Sequence, residues 1–144
     1  MSYNNGLYDR QSENFIIGAL LNAPSLVHEE SYLLGPTDFY GKRNQIIFGV
    51  IYNMASQGVE KITPQDIDSY LMRFPEQYKV YTDNGGIQPL IAVSELVGIP
   101  DGKLYESHYD RIKKFTVLRD LESVGINTKE FYDQDALFNS LVNE

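Results

Sequence analysis

The sequence contains no cysteine, no tryptophan and only two histidines, and it sets twelve Lys and Arg against twenty Asp and Glu. The missing thiols exclude disulfides, thiolate zinc sites and cysteine nucleophiles together, and they fit a reducing compartment. The shortage of basic residues leaves a formal charge of -8. That sign repels polyphosphates and removes the attraction behind most non-specific nucleic-acid binding, so nucleic acid is expected only as a weak or indirect partner. No apolar run approaches the roughly 20 residues of a membrane span, and the polar N-terminus lacks the basic and apolar regions of a signal peptide. No membrane contact and a cytoplasmic location are therefore expected. Internal repeats and low-complexity tracts are absent, and strand-like alternation is scarce.

What is present is helical periodicity. With 144 residues, 42% of them hydrophobic, eleven Tyr and seven Phe, the chain has material for one core, with or without an appendage. The apolar run from Glu13 to Leu21 predicts a short buried helix capped by Ser12 and ended by Pro24. A second short helix is expected over Ser25 to Leu34, stopped by Gly35-Pro36. Ile46, Ile47, Val50, Ile51 and Met54 mark one face of a helix over Lys42 to Gln57, with Gly58 as its stop. Thr63-Pro64 reads as N-cap and first helical residue, with Ile67, Tyr70, Leu71 and Phe74 on the apolar side. Pro75 to Gly86 is polar, ends in Asn84-Gly85-Gly86, and reads as an exposed loop in preference to a short hairpin. Helical spacing returns from Ile87 to Val97, and the break at residues 98–102 is the strongest in the chain.

Beyond that break, Tyr105, Tyr109, Ile112, Phe115, Leu118 and Leu121 draw a narrow stripe along a long helix over Lys103 to Val124. Gly125 can end it, and Phe131, Leu137, Phe138, Leu141 and Val142 supply the apolar side of a second arm. The expected fold is all-α: a compact five- to six-helix bundle over residues 1–100, followed by a helical hairpin over 101–144. A hairpin with so narrow a stripe needs either self-association or a docking partner, and Tyr105, Tyr109, Ile112, Phe115 and Leu118 are the candidate residues for a self-association contact.

No catalytic centre emerges. Gly98-Ile-Pro-Asp-Gly102-Lys103-Leu104 has three residues between its glycines and Leu where a phosphate-binding loop needs Ser or Thr, so it reads as a turn. His28-Glu29-Glu30 points three side chains in different directions on a helix, which makes no metal cage. Asp66 with Asp68, and Asp133 with Asp135, stand two apart and face away from each other. The one local concentration of positive charge is Lys103, Arg111, Lys113, Lys114 and Arg119, beside aromatic residues, which suits either a solvated helix face or contact with nucleic acid or an acidic partner. No metal or cofactor is expected in this chain.

A series of short motifs runs in one order along the chain: Glu13, Ile17-Gly18-Ala19-Leu20-Leu21, Leu34, Pro36, Asp38-Phe39-Tyr40 and Ile47-Phe48. It resumes at Gly58, Gly85-Gly86, Leu90, Pro100, Tyr109, Ile112 and Leu118-Arg119. In these residues and their spacing the chain resembles the N-terminal domain of DnaB-type replicative DNA helicases. It departs from the pattern at Asn44, where the family usually has His, in an extra residue between Gly58 and Ile67 without the usual acidic position, and in one residue fewer between Tyr109 and Arg119. Those departures suggest a phage or prophage branch.

The resemblance implies a non-catalytic module that pairs through hairpins into dimers, assembles as a trimer of dimers in a hexameric collar, and contacts primase and, in some systems, a helicase loader. ATP and Mg would serve the parent helicase through an ATPase domain that lies beyond this chain. The helicase-binding C-terminal domain of a primase is an alternative, disfavoured by the Asp38-Phe39-Tyr40 and Ile47-Phe48 motifs. A small DNA-binding regulator is another, disfavoured by the negative charge.

Overall fold

The structure is a computed structural model that describes residues 7–98 and 100–125. Six α-helices and three short 3-10 segments account for most of it, with no strand among the described residues. Helix α1 spans Arg10–Asn22, α2 Lys42–Ser56, α3 Pro64–Leu71, α4 Pro75–Asp83, α5 Gln88–Val97 and α6 Gly102–Ser123.

Helix α1 is the central element, crossing α2, α5 and α6. It buries Ile16, Ile17, Ala19, Leu20 and Leu21 almost completely, as its near-continuous apolar run requires. Each such aliphatic removed from water stabilises the fold by about 1.5–3 kcal/mol. Its cap is Asp9, whose side chain accepts from the Ser12 amide, while Ser12 itself is buried. The expected Ser12 cap is thus displaced by one turn, because the helix starts before its apolar run does. Gly18 sits where α1 meets α5, and a Cβ there would lie 2.7 Å from the Val93 carbonyl oxygen. Asn22 bridges the same two helices by donating to the Ser94 carbonyl oxygen at 3.1 Å.

Residues expected to form a second short helix instead make two 3-10 turns, Pro24–His28 and Glu30–Tyr32. Pro24 at the first position and the extended backbone at Glu29 interrupt α-helical bonding. Helix α2 follows its predicted limits; α3 starts as predicted, with Thr63 and Asp66 in a reciprocal capping box, but ends at Leu71, short of Phe74. Phe74 departs from its expected buried face. It is 43% exposed and stacks on Tyr70 beneath the Arg73 guanidinium.

The expected loop from Pro75 is helix α4. Pro75 fills a first-turn position where no amide bond is needed, and Tyr81 is fully buried. The apolar side of α4 is made of tyrosines, so aliphatic periodicity does not reveal it. The turn after α4 uses Gly85 and Gly86 at φ of +120° and +63°, a backbone region that other residues rarely enter.

Asp101 caps α6, accepting from the amides of Lys103 and Leu104, so the Gly98–Gly102 break is a helix start. Helix α6 lies against α1 and the Pro36–Asp38 turn, and Tyr105 and Ile112 join the main core. The expected second arm, with Phe131, Leu137, Phe138, Leu141 and Val142, lies outside the described residues.

Candidate functional site

The most elaborate polar constellation stands where α1, the Pro36–Asp38 turn and α6 meet. Glu13 of α1 is 3% exposed, yet each carboxylate oxygen has a donor: the Tyr40 amide at 3.0 Å and the Asn44 side-chain amide at 3.1 Å. Burial still pushes its pKa above the ordinary carboxylate value, and the two donors offset that only in part.

Beside it, Asp38 is 4% exposed and accepts four hydrogen bonds from three donors: the Gly35 amide, Thr116 Oγ1 at 2.8 Å, and Lys113 Nζ on both oxygens at 3.1 and 3.2 Å. Arg119 completes the cluster through backbone oxygens alone. Its guanidinium donates to Leu7 at 2.7 Å, Thr37 at 3.1 Å and Asp38 at 3.3 Å. The Tyr40 ring lies beneath that guanidinium and stacks on Tyr8, centroids 4.3 Å apart and planes within 8°. Together these groups form a latch. They satisfy one another in a desolvated setting and fix the register of α6 on the bundle, a role that apolar packing alone performs less selectively.

One turn further toward the start of α6, His108 Nδ1 and Ser12 Oγ are 2.8 Å apart, and the imidazole stacks on Phe15. Burial lowers the His108 pKa. Arg111 donates to Asp9 at 2.6 Å, and Asp9 is held below the usual carboxylate range: burial pushes it up, but donors from Ser12 and Arg111 outweigh that.

Residues 6–114 match the family described as "DnaB-like helicase N terminal domain". The chain belongs to this family. It is also 31% identical over 132 residues to the SPbeta prophage-derived uncharacterized protein YorI of Bacillus subtilis (strain 168), an alignment covering 91% of this chain and 26% of that protein. The chain thus spans about a quarter of the relative's length, and the likeness supports a prophage branch of the family. No solved structure matches.

The DnaB-like motif residues fall into three groups in space. Glu13, Pro36, Asp38, Tyr40 and Arg119 belong to the latch or carry it. Gly18, Phe39, Ile47 and Phe48 are core or helix-crossing residues, with the Phe39 and Phe48 rings 5.2 Å apart. Gly85 and Gly86 make the turn before α5, and the Gly86 carbonyl accepts from Arg43 at 2.8 Å.

The candidate self-association stripe is placed differently from its expected role. Tyr105, Ile112, Phe115 and Leu118 are 0–3% exposed, and Phe115 and Leu118 pack with Leu7. Tyr109 is half-buried and donates to the Leu33 carbonyl oxygen. Tyr105, Ile112, Phe115 and Leu118 are covered within this fold, because α6 turns its apolar side onto its own bundle, while Tyr109 keeps part of its surface.

Apart from the exposed Lys103, the basic cluster is not an open patch. Arg111, Lys113 and Arg119 are committed to Asp9, Asp38 and backbone oxygens, and Lys114 is buried. Among the described residues no group of three or more His, Asp or Glu is placed to hold a metal, and no helix is long and apolar enough to cross a membrane. Sequence reasoning missed Lys113, Thr116 and Asn44 as latch members. Only the helical spacing of Lys113, Thr116 and Arg119, three apart on one face, hinted at a shared target.

Proposed function

We propose that this domain is the non-catalytic assembly and partner-binding module of a replicative DNA helicase of phage or prophage type. The observation that supports it is family membership over three quarters of the chain, with Glu13, Asp38 and Tyr40 of the matched region meeting in the latch. A latch of this kind holds the second half of α6 at a fixed angle to the bundle. A module that sets the geometry of neighbouring subunits or of a docked partner needs that rigidity.

In this reading the parent protein unwinds DNA with ATP and Mg²⁺ through a domain outside this chain, and the present domain meets primase, a loader or further copies of itself. Self-association then uses exposed residues of α6, Leu104 among them, and not the buried stripe. Nucleic acid is met weakly or indirectly, as the charge of -8 implies.

The test is sedimentation of the chain alone over a wide concentration range and in a mixture with primase from the same replicon. Concentration-dependent association, or a stable complex with primase, is the expected result. A strict monomer that ignores primase but binds DNA tightly and salt-sensitively would replace this reading with a DNA-binding regulator.

A further inference from the structure

Two adjacent depressions lie beside the Glu13 side of the latch. One is a polar cleft of about 450 Å³ bordered by Arg10, Asn14, Tyr40, Arg43 and Asn84. The other is an apolar groove of about 640 Å³ between α1, α5 and α6, walled by Phe15, Val93, Leu96 and Val97. Arg10, Asn14 and Pro89 line both, so the two adjoin and together make one surface channel with a polar and an apolar end.

The ends differ in chemistry. At the apolar end Leu96 is 85% exposed, the most exposed large hydrophobic side chain described. Water gains nothing from it there, and its neighbours in the groove are apolar too. At the polar end stand two guanidinium groups. Arg43 Nε is buried without an acceptor, although its Nη2 donates to Gly86. Helix α2 begins beside it behind Gly41, with no side chain capping its first turn, which leaves the positive end of that helix open. The sole carboxylate lining either depression is Glu13, and its two oxygens already accept from Tyr40 and Asn44. On a chain of net charge -8 this channel is therefore locally positive at one end and apolar at the other.

We infer that this channel is a docking site for an amphipathic helix of a partner protein, seated with apolar anchors on Phe15, Leu96 and Val97 and with a carboxylate near one end on Arg10 and Arg43. An extended peptide has less to hold, since the described residues contain no strand whose edge it could extend. A helix satisfies its own backbone and needs only the apolar stripe and one matched charge. The inference rests on reading the domain as a partner-binding module and specifies where one class of partner binds.

A displayed library of helical peptides about four turns long, selected on the 144-residue chain, tests it. Enriched sequences should carry an apolar stripe with Asp or Glu near one end. Their affinity should fall about tenfold or more on Leu96→Glu and on Arg10→Glu. Both positions are exposed, so folding is retained, which thermal unfolding followed by circular dichroism would verify. Enriched peptides without an acidic residue, or with equal affinity for both variants, would overturn the proposal. So would a self-associated chain that Leu96→Glu disperses, which would make a second copy the occupant. The two readings fail separately. Primase binding with no groove-dependent peptide defeats the channel alone, and groove-dependent peptides on a chain that neither associates nor binds primase defeat the helicase-module reading alone.

Discussion

Asp38 Oδ1 and Lys113 Nζ meet at 3.1 Å across 75 positions of sequence, and the carboxylate, not the amine, is the member shut away from water. Asp38 serves three donors, whereas the Lys113 side chain remains 36% exposed. The pair is therefore asymmetric, with Asp38 the residue on which α6 docking depends.

Asp38→Ala should lower stability by about 2–4 kcal/mol, since it strands the Gly35 amide and removes a charge-assisted pair, while the Thr116 hydroxyl keeps the Ile112 carbonyl as acceptor. Lys113→Ala should cost only about 1 kcal/mol, because solvent screens an amine that is partly exposed. Urea unfolding of the two variants measures the difference. Equal losses would show that the pair is symmetric and that the latch is not centred on Asp38.

Gly18→Ala should destabilise the domain by about 1–3 kcal/mol, although alanine favours an isolated helix by roughly 1 kcal/mol. The added methyl would stand 2.7 Å from the Val93 carbonyl oxygen and 2.8 Å from Val97 Cγ2. Helix α5 can retreat only by loosening the Asn22 bond to Ser94. A urea midpoint at or above that of the parent would mean that α1 and α5 are not packed this closely.

Arg119→Lys keeps the charge and loses the planar fork that reaches Leu7, Thr37 and Asp38 at once. Amide hydrogen exchange should accelerate in the last two turns of α6 and leave α2 and α3 unchanged. Uniform acceleration throughout the chain would show that Arg119 supports global stability and not the docking of α6.

His108 should make stability depend on pH. Burial lowers its folded-state pKa below the ordinary 6.5, with Asp9 opposing and Arg111 reinforcing the shift. The unfolded chain then binds the proton more readily, so this contribution is fully present above about pH 6.5 and is lost as pH falls toward the folded pKa. The urea midpoint should drop between about pH 7.5 and 5.5 by more in the parent than in His108→Gln. Parallel profiles would remove His108 as the cause.

Helices α2, α3, α5 and α6 are legible in the chain because their apolar residues recur at helical spacing and their ends carry local signals such as Thr63-Pro64 and Gly98. Helix α4 is not, because its buried member is a tyrosine in a polar segment, and Tyr81 becomes apolar only once α2 and α3 lie over it. The 3-10 turns around Val27 are likewise settled by packing against α1 and α2 more than by propensity. The ordered motifs were enough to mark the DnaB-like family, since Glu13, Asp38-Phe39-Tyr40 and Arg119 are visible in one dimension.

What those motif residues do was decided in three dimensions. Periodicity says that a face is apolar but not what covers it, so the α6 stripe had the signature of an unpartnered surface until α1 and Leu7 were found against it. The cations of α6 had the signature of an open patch for the same reason. Their partners Asp9, Asp38 and the Leu7 carbonyl lie 75 to 112 positions away. Local interactions set where helices start and which side is apolar; only the folding of distant segments onto one another determines which charges are neutralised and which surface, such as that around Leu96, is left facing water.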